Sequence, residues 1–133
     1  MSAIILAGGK SERMGQDKAL MPYLGRTLIE HVLNAVNKIV ADVVIVADIS
    51  DKFGLSPSVR VIGDLYPDKG PLGGLITGLR FAGEGSHFVV ACDMPFIQPE
   101  LISYLLSRIG DHDAVIPKSN ERLQPLCAVY HSR

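Results

Sequence analysis

The chain has little of what marks a secreted, membrane-spanning or nucleic-acid-coating protein. Its two cysteines, Cys92 and Cys127, are too few for a disulfide framework. Both lie in apolar stretches, Val-Val-Ala-Cys and Pro-Leu-Cys-Ala-Val, where a free cysteine behaves as a small buried hydrophobe. Core thiols in a reducing, cytoplasmic setting are the expectation. Neither sign of charge dominates: 13 Lys and Arg stand against 14 Asp and Glu. That balance excludes a polyanion-coating surface, so nucleic acid is not an expected partner. No apolar run approaches the ~18 residues that cross a bilayer, which excludes a membrane span. The N-terminus carries no basic segment leading into a secretory apolar region, so residues 2–7 read as a first strand. Repeats, low-complexity tracts and linkers are missing too. The 133 residues are therefore expected to form one domain, 1–133, large enough to bury a core without disulfides or a structural metal.

What is present is an alternation of apolar runs with segments of helical period, the pattern of a parallel α/β protein. Strands are predicted at Ala3–Ala7, Val43–Ala47, Val59–Ile62, Phe88–Cys92, Ala114–Ile116 and Pro125–Tyr130. Thr27 and Glu30 have the spacing of a capping box, and Ile29, Val32, Leu33, Val36, Ile39 and Val40 follow on one helical face. A second helix should hold Leu72, Leu75, Ile76 and Leu79. A third should begin near Pro99 and stop at Gly110. The loops richest in Gly, Pro and charge are 8–26, 63–71, 93–98 and 117–124. The first three follow a predicted strand and precede a helix. In an open parallel sheet such loops share the carboxyl edge, where ligands bind.

The first loop has phosphate-binding chemistry. Gly8 and Gly9 let a phosphate approach backbone N–H groups with no side chain between them, and Lys10, Arg13 and Lys18 supply cations. Arg13 can bind bidentately, whereas Lys18 is a point charge. The dinucleotide pattern G-x-G-x-x-G is absent. A Walker A loop also fails, because its first glycine would fall at Ile4 inside the strand. Solvated cations on a surface loop are the plain alternative. At the end of a later strand, Asp93 is placed to hold Mg²⁺, which favours few protein carboxylates together with phosphate oxygens and water. Its plain alternatives are a cap for the helix starting near Gln98 and a residue that simply ends the strand. In Gly63–Gly74 the glycines are read as admitting a flat ligand, and Asp64 as an acceptor for a base or ribose. The histidines His31, His87, His112 and His131 show no metal-ligand spacing. Lys118, Glu121 and Arg122 form a charged loop, read as solvated or as touching a second substrate.

Taken together, Leu6-Ala7-Gly8-Gly9-x-Ser11-x-Arg13-Met14-Gly15-x-Asp17-Lys18-Ala19-Leu20 resembles the motif of the MobA-like nucleotidyltransferases. Gly70-Pro71-Leu72-Gly73-Gly74-Leu75, Cys92-Asp93-Met94-Pro95-Phe96 and Gln124-Pro125-Leu126-Cys127-Ala128-Val129-Tyr130 reinforce the likeness across the chain. The resemblance implies a single Rossmann-like, three-layer α/β/α domain with a mostly parallel sheet, of the nucleotide-diphospho-sugar transferase type. It implies nucleotide contacts at Leu6, Ala7, Gly8, Gly9, Lys18, Asp48, Asp64 and Asp93, although the family often has Asn where Asp48 stands. Asp93 would hold Mg²⁺, Lys18 and Arg13 would stabilise the leaving pyrophosphate, and Gly15 would help shape the cradle.

For the guanylyl branch, the resemblance implies attack by the terminal phosphate of molybdopterin on the α-phosphorus of GTP. GTP and molybdopterin are then the expected small-molecule partners. Transient contact with molybdopterin-delivering or molybdoenzyme-maturation proteins is a further expectation. Relatives that transfer CMP carry Leu-Ala-Ala-Gly where this chain has Leu6-Ala7-Gly8-Gly9. Transfer of a cytidylyl or adenylyl group, or transfer to a sugar phosphate, is the near alternative. Family members generally run on past the point matching Arg133 into an Asn-containing segment. The expectation is that this chain lacks that C-terminal portion, which leaves a non-catalytic nucleotide-binding module as a second reading.

Overall fold

The computed structural model describes residues 1–7, 22–47, 59–66, 69–94 and 96–132. The chain opens with β1 (Ser2–Leu6), followed by a short hairpin of β2 (Pro22–Tyr23) and β3 (Arg26–Thr27). Then come α1 (Leu28–Asn37), β4 (Val43–Ala47), β5 (Arg60–Gly63), α2 (Gly70–Ala82) and β6 (Gly85–Ala91). The last part comprises α3 (Pro99–Ser107), β7 (Ala114–Val115), a second hairpin of β8 (Lys118–Ser119) and β9 (Arg122–Leu123), and β10 (Cys127–Ser132).

Six strands form one sheet in the order β5-β4-β1-β6-β10-β7. β5, β4, β1 and β6 are mutually parallel, and only β10 runs against its neighbours. β1 and β4 are buried at every residue, as strands covered on both faces must be. Alternation along the strands divides the core. Ala3, Ile5, Val43, Ile45, Phe88, Val90 and Val129 belong to the cluster that includes Ile29, Val32 and Val36 of α1 and Ile102, Leu105 and Leu106 of α3. Ile4, Leu6, Val46 and Val89 turn the other way, onto Leu75 and Leu79 of α2. The three-layer, mostly parallel α/β/α architecture expected from the sequence is the one observed.

Local chemistry sets the helix positions. α1 starts at the expected capping box: Thr27 Oγ1 accepts from the Glu30 N–H, and Glu30 Oε1 accepts from the Thr27 N–H. α2 and α3 lack a side-chain cap bond and carry Pro71 and Pro99 in their first turns. α3 ends at Ser107, before the expected Gly110, although Ile109 beyond it is still buried. α2 lies close on the sheet because it presents glycine there. A Cβ on Gly78 would stand 2.5 Å from Ile4 Cγ2, and one on Gly74 would stand 3.3 Å from Leu6 Cδ2.

His87 is the most deeply buried histidine among the described residues, at 1% exposure. Its Nε2 lies 2.9 Å from the Gly83 carbonyl, which can only accept, so that nitrogen carries the hydrogen. In the neutral ring, Nδ1 then accepts from the Ser2 hydroxyl at 2.6 Å. Both polar ends are satisfied inside the core, consistent with a structural histidine.

Candidate functional site

The parallel strands deliver their following residues to one edge, and backbone bonds carry the ladder a step beyond the strands themselves. The Ala7 N–H donates to the Val46 carbonyl at 2.8 Å, the Asp64 N–H to the Ala47 carbonyl at 3.3 Å, and the Cys92 N–H to the Leu6 carbonyl at 3.0 Å. Ala7, Asp64 and Asp93 are thereby brought to the carboxyl ends of β1, β5 and β6. The chain passes from β1 to β4 on one side and later crosses to β6 on the other, so β1 stands at the switch point where open α/β sheets bind ligands.

Four of the expected site residues, Leu6, Ala7, Asp64 and Asp93, are among those described and lie at this edge. Leu6 is buried, with its side chain in the core under α2 and its carbonyl bonded to Cys92, so it shapes the edge from below. Ala7 is buried as well and contributes backbone. Asp93 is exposed in the turn after β6. It does not cap α3, whose N-cap is Gln98, while its place in the turn just past β6 agrees with a residue that ends the strand. Among the described residues no group of three His, Cys, Asp or Glu could hold a metal ion. An exposed carboxylate at the carboxyl edge, outside any three-residue metal cluster among the described residues, has the chemistry to take Mg²⁺, which binds through one or two carboxylates plus phosphate oxygens and water, and not that of an all-protein metal cage.

Asp64 is half-buried and already employed by the protein. Its Oδ1 accepts from the Tyr66 N–H at 2.8 Å and lies 3.1 Å from the Thr77 hydroxyl. Thr77 Oγ1 in turn accepts from the Leu65 N–H at 3.0 Å. Thr77 is a residue the sequence reading missed. Its signal was a hydroxyl four residues after Gly73 on a helix otherwise read as an apolar face.

A Cβ on Gly73 would run into the Tyr66 carbonyl oxygen, and one on Gly74 would press on Leu6. These two glycines let α2 pack against its own loop and the sheet, whereas a Cβ on Gly63 would meet only the Ala47 carbonyl oxygen, at 4.0 Å. Gly70, with φ of +63° and open space around its Cα, is glycine for its backbone conformation.

Gly8, Gly9, Arg13, Gly15, Lys18 and Asp48 lie outside the described residues. The charged loop at 117–124 is a hairpin whose turn residues, Asn120 and Glu121, both have positive φ. Lys118 pairs across from Leu123 and Arg122 from Ser119. Adjacent pairs in a ribbon face opposite ways, so these two cations do not converge on one anion. His131 sits near 3.2 Å from Ser86 Oγ at the other end of the sheet, beside a shallow depression of ≈ 420 Å³ lined by Glu84, Gly85, His131 and Ser132. Nothing there joins the carboxyl edge.

This edge can be set beside proteins of known kind. The family described as MobA-like NTP transferase domain matches residues 3–133. The probable molybdenum cofactor guanylyltransferase of Pelotomaculum thermopropionicum is 40% identical over 129 residues, covering 97% of this chain and 62% of that protein. The protein of that description from Clostridium perfringens strain 13 is 41% identical, covering 97% and 65%. Among solved structures, molybdopterin-guanine dinucleotide biosynthesis protein A from Archaeoglobus fulgidus is similar with a TM-score of 0.79 at 32% identity, covering 98% of this chain and 67% of that one. The 2-C-methyl-D-erythritol 4-phosphate cytidylyltransferase of Thermus thermophilus shares the fold alone, with a TM-score of 0.69 at 19% identity over 98% and 70% of the two chains. The chain thus spans under two thirds of the length of the first of these curated relatives. On the family match and these identities, carried by a fold that gathers Asp64 and Asp93 at one sheet edge, the chain belongs to the family of MobA-like NTP transferase domains.

Proposed function

We propose that this domain transfers GMP from GTP to the terminal phosphate of molybdopterin, forming molybdopterin guanine dinucleotide and releasing pyrophosphate. The observation that carries the reading is the placement of Asp64 and Asp93 after parallel strands on one carboxyl edge of the sheet, in a chain about 40% identical to proteins named for guanylyl transfer to this cofactor.

The attacking group is already a phosphate anion, so the reaction needs no general base. Rate then comes from positioning and from stabilising charge on the leaving pyrophosphate. Asp64 orients the nucleoside as an acceptor. Gly8 and Gly9 offer backbone N–H groups to the phosphates, with Leu6, Ala7 and Asp48 completing the nucleotide contacts. Lys18 and Arg13 counter the charge that moves onto pyrophosphate. Asp93 is the residue we assign to Mg²⁺, which when bound would neutralise phosphate oxygens. Transient contact with proteins that deliver molybdopterin, in the cytoplasm, belongs to the same proposal; among the described residues no helix is long and apolar enough to cross a membrane.

Thermal shift with GTP, CTP and ATP in the presence of Mg²⁺, followed by pyrophosphate release with molybdopterin, tests the proposal. Preferential stabilisation by GTP and molybdopterin-dependent release are the expected results, since a ligand stabilises according to its occupancy of the folded state. Stabilisation by CTP or ATP instead would replace the guanine assignment. GTP binding without turnover would make the chain a nucleotide-binding module.

A further inference from the structure

Thr77 is 2% exposed in the middle of α2, yet its side chain is polar and has three hydrogen-bonding neighbours. It accepts the Leu65 N–H and faces two acceptors, the Gly73 carbonyl at 2.9 Å and Asp64 Oδ1 at 3.1 Å. A hydroxyl has a single proton. A threonine inside a helix commonly directs it to the carbonyl four residues back, here Gly73. The competing acceptor is a carboxylate, and hydrogen bonds to ionised groups are the stronger ones. The hydroxyl is therefore held between the helix and the loop that follows β5.

That loop is tied to α2 at further points. Gly73 allows the Tyr66 carbonyl to lie where a side chain would otherwise stand. The same carbonyl accepts from the Lys69 N–H at 3.1 Å, and the Arg80 guanidinium lies 5.9 Å from the Tyr66 ring centroid. With Tyr66 and Thr77 both on Oδ1, the Asp64 carboxylate is fixed in rotation before any ligand arrives, and among the described residues no donor bonds to Oδ2, the oxygen then offered to a donor on the ligand.

We propose that Thr77 is a positioning residue for nucleotide binding: its buried hydroxyl pins Asp64 Oδ1 so that Oδ2 serves as the acceptor for a nucleoside N–H or O–H. The proposal rests on the nucleotide-binding reading above. Preorganising the acceptor removes an ordering cost at the moment of binding.

The test is calorimetric GTP affinity for the wild-type chain, Thr77→Val, Thr77→Ser, Asp64→Ala and the Asp64→Ala/Thr77→Val double variant, with amide hydrogen exchange at Leu65 as a ligand-free readout. Thr77→Val keeps the volume and removes the hydroxyl, and Thr77→Ala serves if the Val variant does not fold. The expected result is an affinity loss of about tenfold for Thr77→Val and within about twofold of wild type for Thr77→Ser. Faster Leu65 exchange should accompany the loss, and Thr77→Val should have no further effect once Asp64 is gone. Wild-type affinity in Thr77→Val, or an equal loss with and without Asp64, overturns the proposal and leaves nucleotide binding standing. A wild-type chain that binds no GTP overturns nucleotide binding and this role together, whatever Leu65 exchange reports.

Discussion

The Cys92 N–H bonds to the Leu6 carbonyl at 3.0 Å, so the turn that holds Asp93 leaves β6 directly beside the end of β1. A carboxylate at that point is exposed and makes no cap for α3. The proposed reaction gives it a chemical role. Asp93→Asn should lower molybdopterin-dependent pyrophosphate release by ~10²-fold or more, the scale of losing a preorganised group that stabilises developing charge. The urea midpoint should stay where it is. A matching fall in the midpoint would assign Asp93 to stability instead.

The glycines of α2 should behave as packing positions. Gly73→Ala sets a Cβ against the Tyr66 carbonyl, and backbone yields less readily than the tip of a side chain. Gly78→Ala sets one 2.5 Å from Cγ2 of Ile4, which is fully buried in the sheet. Alanine is the better helix former by about 1 kcal/mol, yet overpacking of this kind costs about 1–3 kcal/mol. Both variants should unfold at lower denaturant concentration than the wild type. An unchanged or raised midpoint would show that the contact yields at no cost: the Tyr66 loop moving away for Gly73→Ala, α2 lifting off the sheet for Gly78→Ala.

The architecture was legible where the physics is local and repeated. β1 and β4 read as strands because their residues are almost all apolar, and α1 announced its start through Thr27 and Glu30. The two hairpins were not legible, since strands of two residues have no period to detect. Their turns carry Leu24 and Glu121 at positive φ, where residues with a Cβ are uncommon. The carboxyl edge was legible as a set of loops that follow parallel strands, and Asp64 and Asp93 lie on that edge. What Asp64 bonds to was not legible, because its partner Thr77 lies 13 residues away and looked like filler in an apolar helix. The packing role of the glycines at 73 and 74 was not legible for a related reason: composition reports that a close approach exists, not which group makes it.

Neither cysteine is in a disulfide and both are buried, in keeping with core thiols. Burial pushes the Cys127 thiol up from its ordinary range. Since the thiolate is the reacting form, the raised value and the lack of access act in the same direction. Native protein treated with iodoacetamide near pH ~8 should remain unlabelled at both positions, and both should label once denaturant unfolds the chain. Rapid labelling of Cys127 in the folded protein would mean that β10 opens locally well below the global unfolding free energy.

Glu30 gives a pH dependence whose sign can be worked out. Bonds from the Thr27 N–H at 3.1 Å and the Thr27 hydroxyl at 2.8 Å favour its ionised form, with a smaller contribution from Arg26, and its pKa is lowered from 4.5. A carboxyl whose folded pKa lies below its unfolded one adds stability that is fully present above the unfolded value. That stability fades as pH falls through the folded value. The group is on the surface, so solvent screening keeps the effect to roughly 0.5 kcal/mol or less. Glu30→Gln keeps the shape of the capping box without the charge. Its unfolding free energy should fall below that of the wild type at neutral pH, and the gap should close as the pH drops past 4.5 and through the lowered folded value. A gap that stays constant down to acid pH would trace the difference to packing or helix propensity and remove the Glu30 charge from the account of how α1 begins.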